Sequence, residues 1–410
     1  MKKLPSTKII ILSLFLGLIT GSILTKSSTV FGFNVYEIVD VFGQVFLNAL
    51  KMIVIPLIMS SLIFNIAKFE NVEGLSLISI KTVLFYILSS FAAILIGITI
   101  VNLVSPGLSE GIGAGSLLGL NNKSEIDLII NSQNEYTLSS FFLKIFSGNI
   151  FTSIASGNML FIILFSILIG ISIRSIKSKS MDVIKDFWEG TYLIFIKIMY
   201  LILFFTPFGI FFLVTKASMS FEPESYVILS KFFLTVISSL MIHMFVFYSL
   251  ILMIFKVNVI KHFKGVSQAL LVAFSTSSSV ATIPVTSRCL IEKLCYKEDK
   301  VNFIIPIGAT INMDGTALFE CVVVIFIAQL YGIDLSFIEQ LLILLLALIT
   351  SIGVAGIPSA SFVAIIVILG AVGLPFEAVG IIIGIDRLLD MLRTSVNVYG
   401  DTCCVSVVAK

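Results

Sequence analysis

The stretch IDRLLDMLRTSVNVYGD, Ile385 to Asp401, decides how the chain is read. It lies in an otherwise apolar C-terminal region, yet carries Asp386, Asp390, Arg393, Asn397 and Asp401 at i, i+4, i+7, i+11 and i+15. On a helix turning ~100° per residue these positions project into one stripe less than a quarter-turn wide. The opposite face carries Leu388, Leu392 and Val396. An ionisable group at a bilayer centre costs at least ~2.5 kcal/mol, so such residues face a bundle interior or a wet cavity and mark an ion or substrate path. A self-satisfied Asp390–Arg393 ion pair is the simpler reading, but it leaves the other polar residues of the stripe without a role.

Composition sets the class. The chain has 410 residues, of which 58% are hydrophobic and 12% charged. A soluble domain carries about 25% charge, and apolar runs long enough to span recur along this chain, so it reads as a polytopic membrane protein. A net charge of +2 argues against a nucleic-acid partner. Cys289, Cys295, Cys321, Cys403 and Cys404 lack metal spacing, and the adjacent pair Cys403–Cys404 reads as membrane packing. The N-terminal apolar run has no small-residue cleavage site and is taken as the first span.

The first half reads as six spans near residues 8–26, 42–66, 82–104, 155–174, 190–214 and 226–255. Lys2, Lys3 and Lys8, then Lys68 and Lys81, then Arg174, Lys177, Lys179 and Lys185, then Lys256, Lys261 and Lys264 mark one side of the membrane. The alternate loops hold only Lys26, then Lys123 and Lys144, then Lys216. This asymmetry puts the N-terminus in the cytoplasm. The polar loop 105–149 is an external connector.

From Phe263 the pattern changes. Val266 to Phe274 runs into Ser275-Thr276-Ser277-Ser278-Ser279, and Val280 to Leu290 runs back to a charged loop. Each arm is too short to cross a core of ~30 Å, so a re-entrant hairpin is expected, its serine tip shielded by protein or water. The next span, about 301–330, is interrupted by Asn312-Met313-Asp314-Gly315-Thr316, and Glu320 lies one turn further on. A second hairpin pattern runs from Leu341 through Thr350-Ser351-Ile352-Gly353-Val354-Ala355-Gly356-Ile357-Pro358 to Gly373. Hairpins from opposite sides, each followed by a helix with intramembrane polar groups, are the signature of an inverted repeat with a site at the midplane.

Carboxylates at Asp314, Asp390 and Asp401, amides at Asn312 and Asn397 and backbone oxygens near Gly308 and Gly353 suit hard cations. Arg393 offers a planar fork for a carboxylate, and Asp390, one turn earlier, accepts from an ammonium group. One helix thus complements both ends of an acidic amino acid. No nucleophile–base pair, phosphate loop or metal cluster is present, so catalysis is not expected.

Four motifs in order carry a family resemblance: the serine-rich tip at 275–279, Asn-Met-Asp-Gly-Thr at 312–316, Ser-Ile-Gly-Val-Ala-Gly-Ile-Pro at 351–358, and Asp390 to Asp401. Through essentially its whole length the chain resembles the glutamate transporters, the dicarboxylate/amino acid:cation symporter family. The resemblance implies an all-α membrane protein of eight transmembrane helices and two re-entrant hairpins, assembled as a homotrimer. Residues 1–258 would be mainly scaffold, with span three contributing to the moving part. Residues 259–410 would form a transport core that crosses the membrane like an elevator, gated by the second hairpin.

Carried over by resemblance, Arg393 with Thr316 would hold the substrate's side-chain carboxylate and Asp390 its α-amino group. Asn397 and the hairpin tip at Ser278 and Ser279 would bind the main-chain carboxylate, with Thr394 and Ile357 completing the pocket. One sodium site would use Asp401 with Gly308, Asn312 and Asn397. A second would use backbone near Thr310, Ser351, Ile352 and Val354. A third would use Asn312 and Asp314 with Tyr86, Ser89 and Ser90, which match the family's Tyr-x-x-(Ser/Thr)-(Ser/Thr) pattern.

The resemblance also separates substrates and ions. Relatives for C4-dicarboxylates differ at the position of Asp390, and relatives for neutral amino acids such as serine lack an arginine at that of Arg393, so an acidic amino acid is expected. A second arginine usual in the family is missing here, where Ser277 and Met391 stand, and Arg387 projects about 100° from the stripe. Proton-coupled relatives carry glutamate at the position of Glu320, which is therefore the expected proton carrier. The coupling ions are expected to be sodium and/or protons, with no other cofactor. The location expected is a prokaryotic plasma membrane, both termini cytoplasmic. A channel or sensor without net pumping is the alternative of another class.

Overall fold

The computed structural model describes residues 7–25, 27–30, 32–68, 76–118, 120, 148–156, 158–219, 223–353, 361–376 and 378–409. These are mostly helical. Helix α1 (Thr7–Ile23) leads to a small antiparallel ladder, β1 (Thr29–Val30) on β2 (Phe33–Asn34), with Val30 opposite Phe33. Helices α2 (Val35–Lys68) and α3 (Ser76–Val104) come next, followed by a second ladder, β3 (Leu108–Ser109) on β4 (Ile112–Gly113). Then come α4 (Ile150–Ala155), α5 (Met159–Ser175), α6 (Lys179–Phe204) and α7 (Thr206–Ser218).

Span five was expected as one helix over 190–214, but the chain breaks at Phe205 between α6 and α7. Pro207 supplies no backbone N–H, and its ring crowds the carbonyl one turn back, which stops α6 from continuing. Both helices pack on α2, and α7 packs in addition on α1 and on the last helix.

Helices α8 (Pro223–Met241) and α9 (Tyr248–Ile254) are joined by a π-helical stretch, Ile242–Phe247. The wider turn rotates α9 relative to α8 and re-aims its side chains. A helix–turn–helix unit comes next, α10 (Val259–Thr276) and α11 (Ser279–Arg288). Asn258 caps the first of these by accepting from Lys261 N at 2.9 Å, and Ser278 caps the second by accepting from Ala281 N at 3.2 Å. Ser277 makes the turn in the left-handed region, at φ 51°. The serine-rich tip is therefore the place where one helix ends and the next is capped.

The interrupted span is two helices, α12 (Glu298–Ile311) and α13 (Asp314–Leu330). Only Asn312 and Met313 leave helical geometry, so Asp314, Gly315 and Thr316 form the first turn of α13 rather than an unwound segment. Every residue of α13 except Thr316 is buried. Helices α14 (Phe337–Gly353) and α15 (Ser361–Val372) form the second helical pair. The final helix, α16 (Val379–Val408), extends the polar stripe by apolar turns at both ends, since nothing in Val379 to Gly384 or Cys403 to Val408 breaks a helix.

The core gathers on α13, α15 and α16, with α3, α10, α12 and α14 packed around them. Elsewhere large apolar side chains face outward: Leu12, Phe15, Leu16, Ile19 and Ile23 on α1, and Phe187, Leu193, Ile194 and Leu201 on α6. Exposed apolar surface on this scale marks a protein–protein or membrane interaction surface. Among the described residues four helical stretches, Ile80–Val104, Lys179–Phe204, Glu224–Ile254 and Glu298–Leu330, are by length and composition able to cross a membrane. The protein is a mostly helical membrane-spanning protein.

Candidate functional site

The stripe on α16 is buried inside the fold. Arg393 is fully buried, and its Nη2 lies 2.7 Å from Asp386 Oδ1 and 3.0 Å from Asp390 Oδ1. The Asp390–Arg393 ion pair is therefore formed, and Asp386 extends it. It does not exhaust the arginine, because Nε and Nη1 of Arg393 make no hydrogen bond among the described residues. The guanidinium sits 3.9 Å above the centre of the Phe319 ring on α13. Arg387 does not stay clear of the stripe: its Nη1 is 3.7 Å from Asp390 Oδ2. Residues three apart on a helix are neighbours, and the long arginine side chain spans the remaining angle.

One turn on, Asn397 ties α16 to the start of α13. Its Oδ1 accepts from Gly315 N at 2.8 Å, and its Nδ2 donates to Thr316 Oγ1 at 3.4 Å. Thr394 turns inward on its own helix, donating to Asp390 O at 2.8 Å. Asn312, at the break between α12 and α13, donates through Nδ2 to Asp401 Oδ1 at 2.9 Å and to Asn397 O at 3.0 Å. Asn312 Oδ1 is buried and accepts nothing in the structure. Gly308 lies against this group. A Cβ there would run into Asp401 Oδ1 and the Tyr86 hydroxyl, so only glycine fits. Gly308, Asn312, Asn397, Asp401 and Tyr86 are thus brought together. A carboxylate, an unused amide oxygen and nearby carbonyls form a donor set that suits a small hard cation.

Asp314 is held by three other segments. It accepts from Ser90 Oγ on α3 at 2.5 Å and from the Tyr248 hydroxyl at the start of α9. His243 Nε2, on the π-helical stretch, lies 3.0 Å from Asp314 Oδ2. Ser89 is buried beside this group and donates back to Tyr86 O at 3.2 Å. His243 and Tyr248 were not among the expected site residues. The available signal was a histidine inside an apolar span, which is rare in membranes unless it has a partner there.

Ser279 is buried at the start of α11, and α10 and α11 both pack on α16. Thr310 is exposed and bonds back to Pro306 O and Ile307 O, while Ser351 bonds back to Leu348 O at 3.0 Å. Val354 and Ile357 lie outside the described residues, and of Ile352 only the helical backbone is described. Glu320 is buried on α13, its Oε2 accepting from Thr350 Oγ1 of α14 at 3.1 Å and its Oε1 making no hydrogen bond. Among the described residues no group of three or more His, Cys, Asp or Glu comes together as a metal centre.

The model of the sodium:dicarboxylate symporter family matches residues 7–410. A proton/sodium-glutamate symport protein of Bacillus caldotenax is 33% identical over 413 residues, covering 100% of this chain and 95% of its own length. The proton/glutamate-aspartate symporter of Escherichia coli (strain K12) is 30% identical over 404 residues, covering 98% of this chain and 91% of its own. Human excitatory amino acid transporter 3 is 33% identical over 414 residues, covering 90% and 78%.

Proposed function

The chain belongs to the sodium:dicarboxylate symporter family, and from that premise we propose that it is a secondary active symporter carrying L-glutamate and/or L-aspartate into the cell with protons and/or sodium. The observation that carries this reading is Arg393. A fully buried guanidinium with Nε and Nη1 unbonded among the described residues is a standing demand for an acceptor in a desolvated site. A substrate carboxylate satisfies it with two parallel bonds. Asp390 takes the α-ammonium. Thr316 supports the side-chain carboxylate. Thr394, Asn397, Ser278 and Ser279 surround the main-chain carboxylate, and Ile357 closes the pocket.

Sodium, as cargo, occupies the oxygens around Asp401 (Gly308, Asn312 and Asn397) and those around Asp314 (Asn312, Tyr86, Ser89 and Ser90). A further site uses backbone near Thr310, Ser351, Ile352 and Val354. Glu320 carries the proton. In this reading eight helices span the plasma membrane, with two re-entrant pairs at 259–288 and 337–372 and both termini cytoplasmic. Residues 259–410 move as a transport core against a scaffold drawn mainly from 1–258, within a homotrimer.

The test is uptake of labelled L-glutamate into proteoliposomes under an imposed ion gradient. Accumulation above the equilibrium level is expected, and equilibration without accumulation would leave a channel in its place. A C4-dicarboxylate is the second reading, favoured by one observation: both oxygens of Asp390 already face guanidinium groups. Competition by succinate against labelled glutamate separates the two.

A further inference from the structure

His262 stands in the first turn of α10 and belongs to neither the substrate stripe nor the clusters around Asp314 and Asp401. It is buried, and a buried ring needs a partner for each nitrogen. Both partners come from α16. Nε2 lies 3.0 Å from Thr402 Oγ1, and Nδ1 lies 3.1 Å from Ser406 Oγ. Thr402 and Ser406 are i and i+4, so their hydroxyls share one face and the ring bridges a full turn. The ring also packs edge-on against Tyr399, with centroids 5.6 Å apart. Asp401, the residue before Thr402, is turned about 100° from it and meets Asn312 Nδ2 at 2.9 Å. This turn of α16 is therefore held by α10 on one side and by the α12–α13 break on another.

We infer that His262 is a positioning residue for the cation oxygens at Asp401: by gripping Thr402 and Ser406 it sets the rotation of α16 that presents the Asp401 carboxylate to Asn312 and Gly308. The inference rests on the reading of Asp401 as a sodium ligand. Apolar packing is non-directional and tolerates small turns of a helix about its axis. Two hydrogen bonds one turn apart are directional, and fix both the height and the phase of α16 against α10. A donor set for a small cation works only when its oxygens are held at their spacing by the groups behind them. Without the His262 bonds α16 keeps its packing and loses this phase, so the oxygens around Asp401 lose their spacing. The ring acts on the ion through Asp401 and not by contact with it.

The experiment follows thermal unfolding of purified full-length protein as sodium chloride replaces choline chloride, with no substrate present, for wild type, H262F, H262Q and T402V. Sodium bound by the folded state raises Tm, so the titration midpoint reports ion affinity and the Tm without sodium reports the fold. H262F keeps a ring and loses both bonds, and its midpoint is expected to rise roughly tenfold, the low end of what removing a group behind a metal ligand costs. H262Q keeps a donor and an acceptor and should stay within about threefold of wild type. T402V removes one partner, and is expected to cost about threefold alone and nothing further in the H262F background, since both changes break the same contact. If H262F does not fold, T402V decides the point. A sodium midpoint equal to wild type in the folded variants, with or without a lower starting Tm, overturns the role of His262 alone. A wild type whose unfolding does not respond to sodium overturns the sodium reading of Asp401, and this inference with it.

Discussion

Asp314 and Asp390 are both buried carboxylates, and the protein satisfies them in opposite ways. Asp390 is matched by charge from its own helix, with Arg393 at 3.0 Å and Arg387 at 3.7 Å. Asp314 is matched by groups from elsewhere: the hydroxyls of Ser90 and Tyr248, and the Nε2 of His243 at 3.0 Å. A carboxylate ringed by guanidinium groups is electrically complete and admits a newcomer only by exchange. A carboxylate ringed by hydroxyls and an imidazole belongs to an oxygen-rich donor set of the kind that suits a hard cation. The first environment suits a zwitterionic substrate, and the second suits its coupling ion.

The sharpest way to break this contrast is at Arg393. Arg393→Cys leaves Asp386 and Asp390 facing each other without their shared cation, and losing one partner of a buried pair costs roughly 3–5 kcal/mol. Binding of acidic substrates should fall by at least about 100-fold, with neutral amino acids admitted in their place. Unchanged glutamate affinity in a folded variant would remove its assigned role. At Asp314 the expected effect is on the ion. Asp314→Asn should weaken sodium activation of uptake by on the order of tenfold, the scale of one charge-assisted contact. His243→Ala or Tyr248→Phe should each shift it by about fivefold, one hydrogen bond's worth, with substrate affinity at saturating sodium nearly constant. Sodium titrations that leave these variants superimposed on wild type would make the shell purely structural. The smallest effect expected on affinity is at Glu320, whose hydrogen bond is to Thr350 of α14 rather than to either carboxylate. Glu320→Gln keeps the Thr350 contact and should flatten the pH profile of uptake while changing substrate affinity at one pH little. A profile that keeps its slope would rule Glu320 out as the proton carrier.

The two carboxylates also differ in how much of their surroundings could be read from the chain. The α16 stripe was legible because helix periodicity alone puts Asp386, Asp390, Arg393, Asn397 and Asp401 on one face. Even there the angle misled at Arg387. A projection treats side chains as spokes, whereas a guanidinium on a long flexible stem reaches a neighbour three residues away. The shell of Asp314 was legible in part. Ser90 came from a resemblance to known transporters, but His243 and Tyr248 stand on a segment whose π-helical turn no hydropathy pattern announces. The break at Phe205 is a further miss of the same kind, since a long apolar run hides a local proline effect.

What the amino-acid order determined by itself was the solvent and the periodic elements: apolar runs that demand lipid, a polar face on one helix, and two serine- or glycine-containing interruptions. These arise from local chemistry, because backbone hydrogen bonding and side-chain phase depend only on near neighbours. Only the tertiary structure decided which polar atoms are used up and which are left waiting. Asn312 Oδ1 and two nitrogens of Arg393 make no hydrogen bond among the described residues, while Asp314 gathers partners from three other segments. Whether a buried group is satisfied depends on what distant helices bring against it, and no spacing along one chain specifies that.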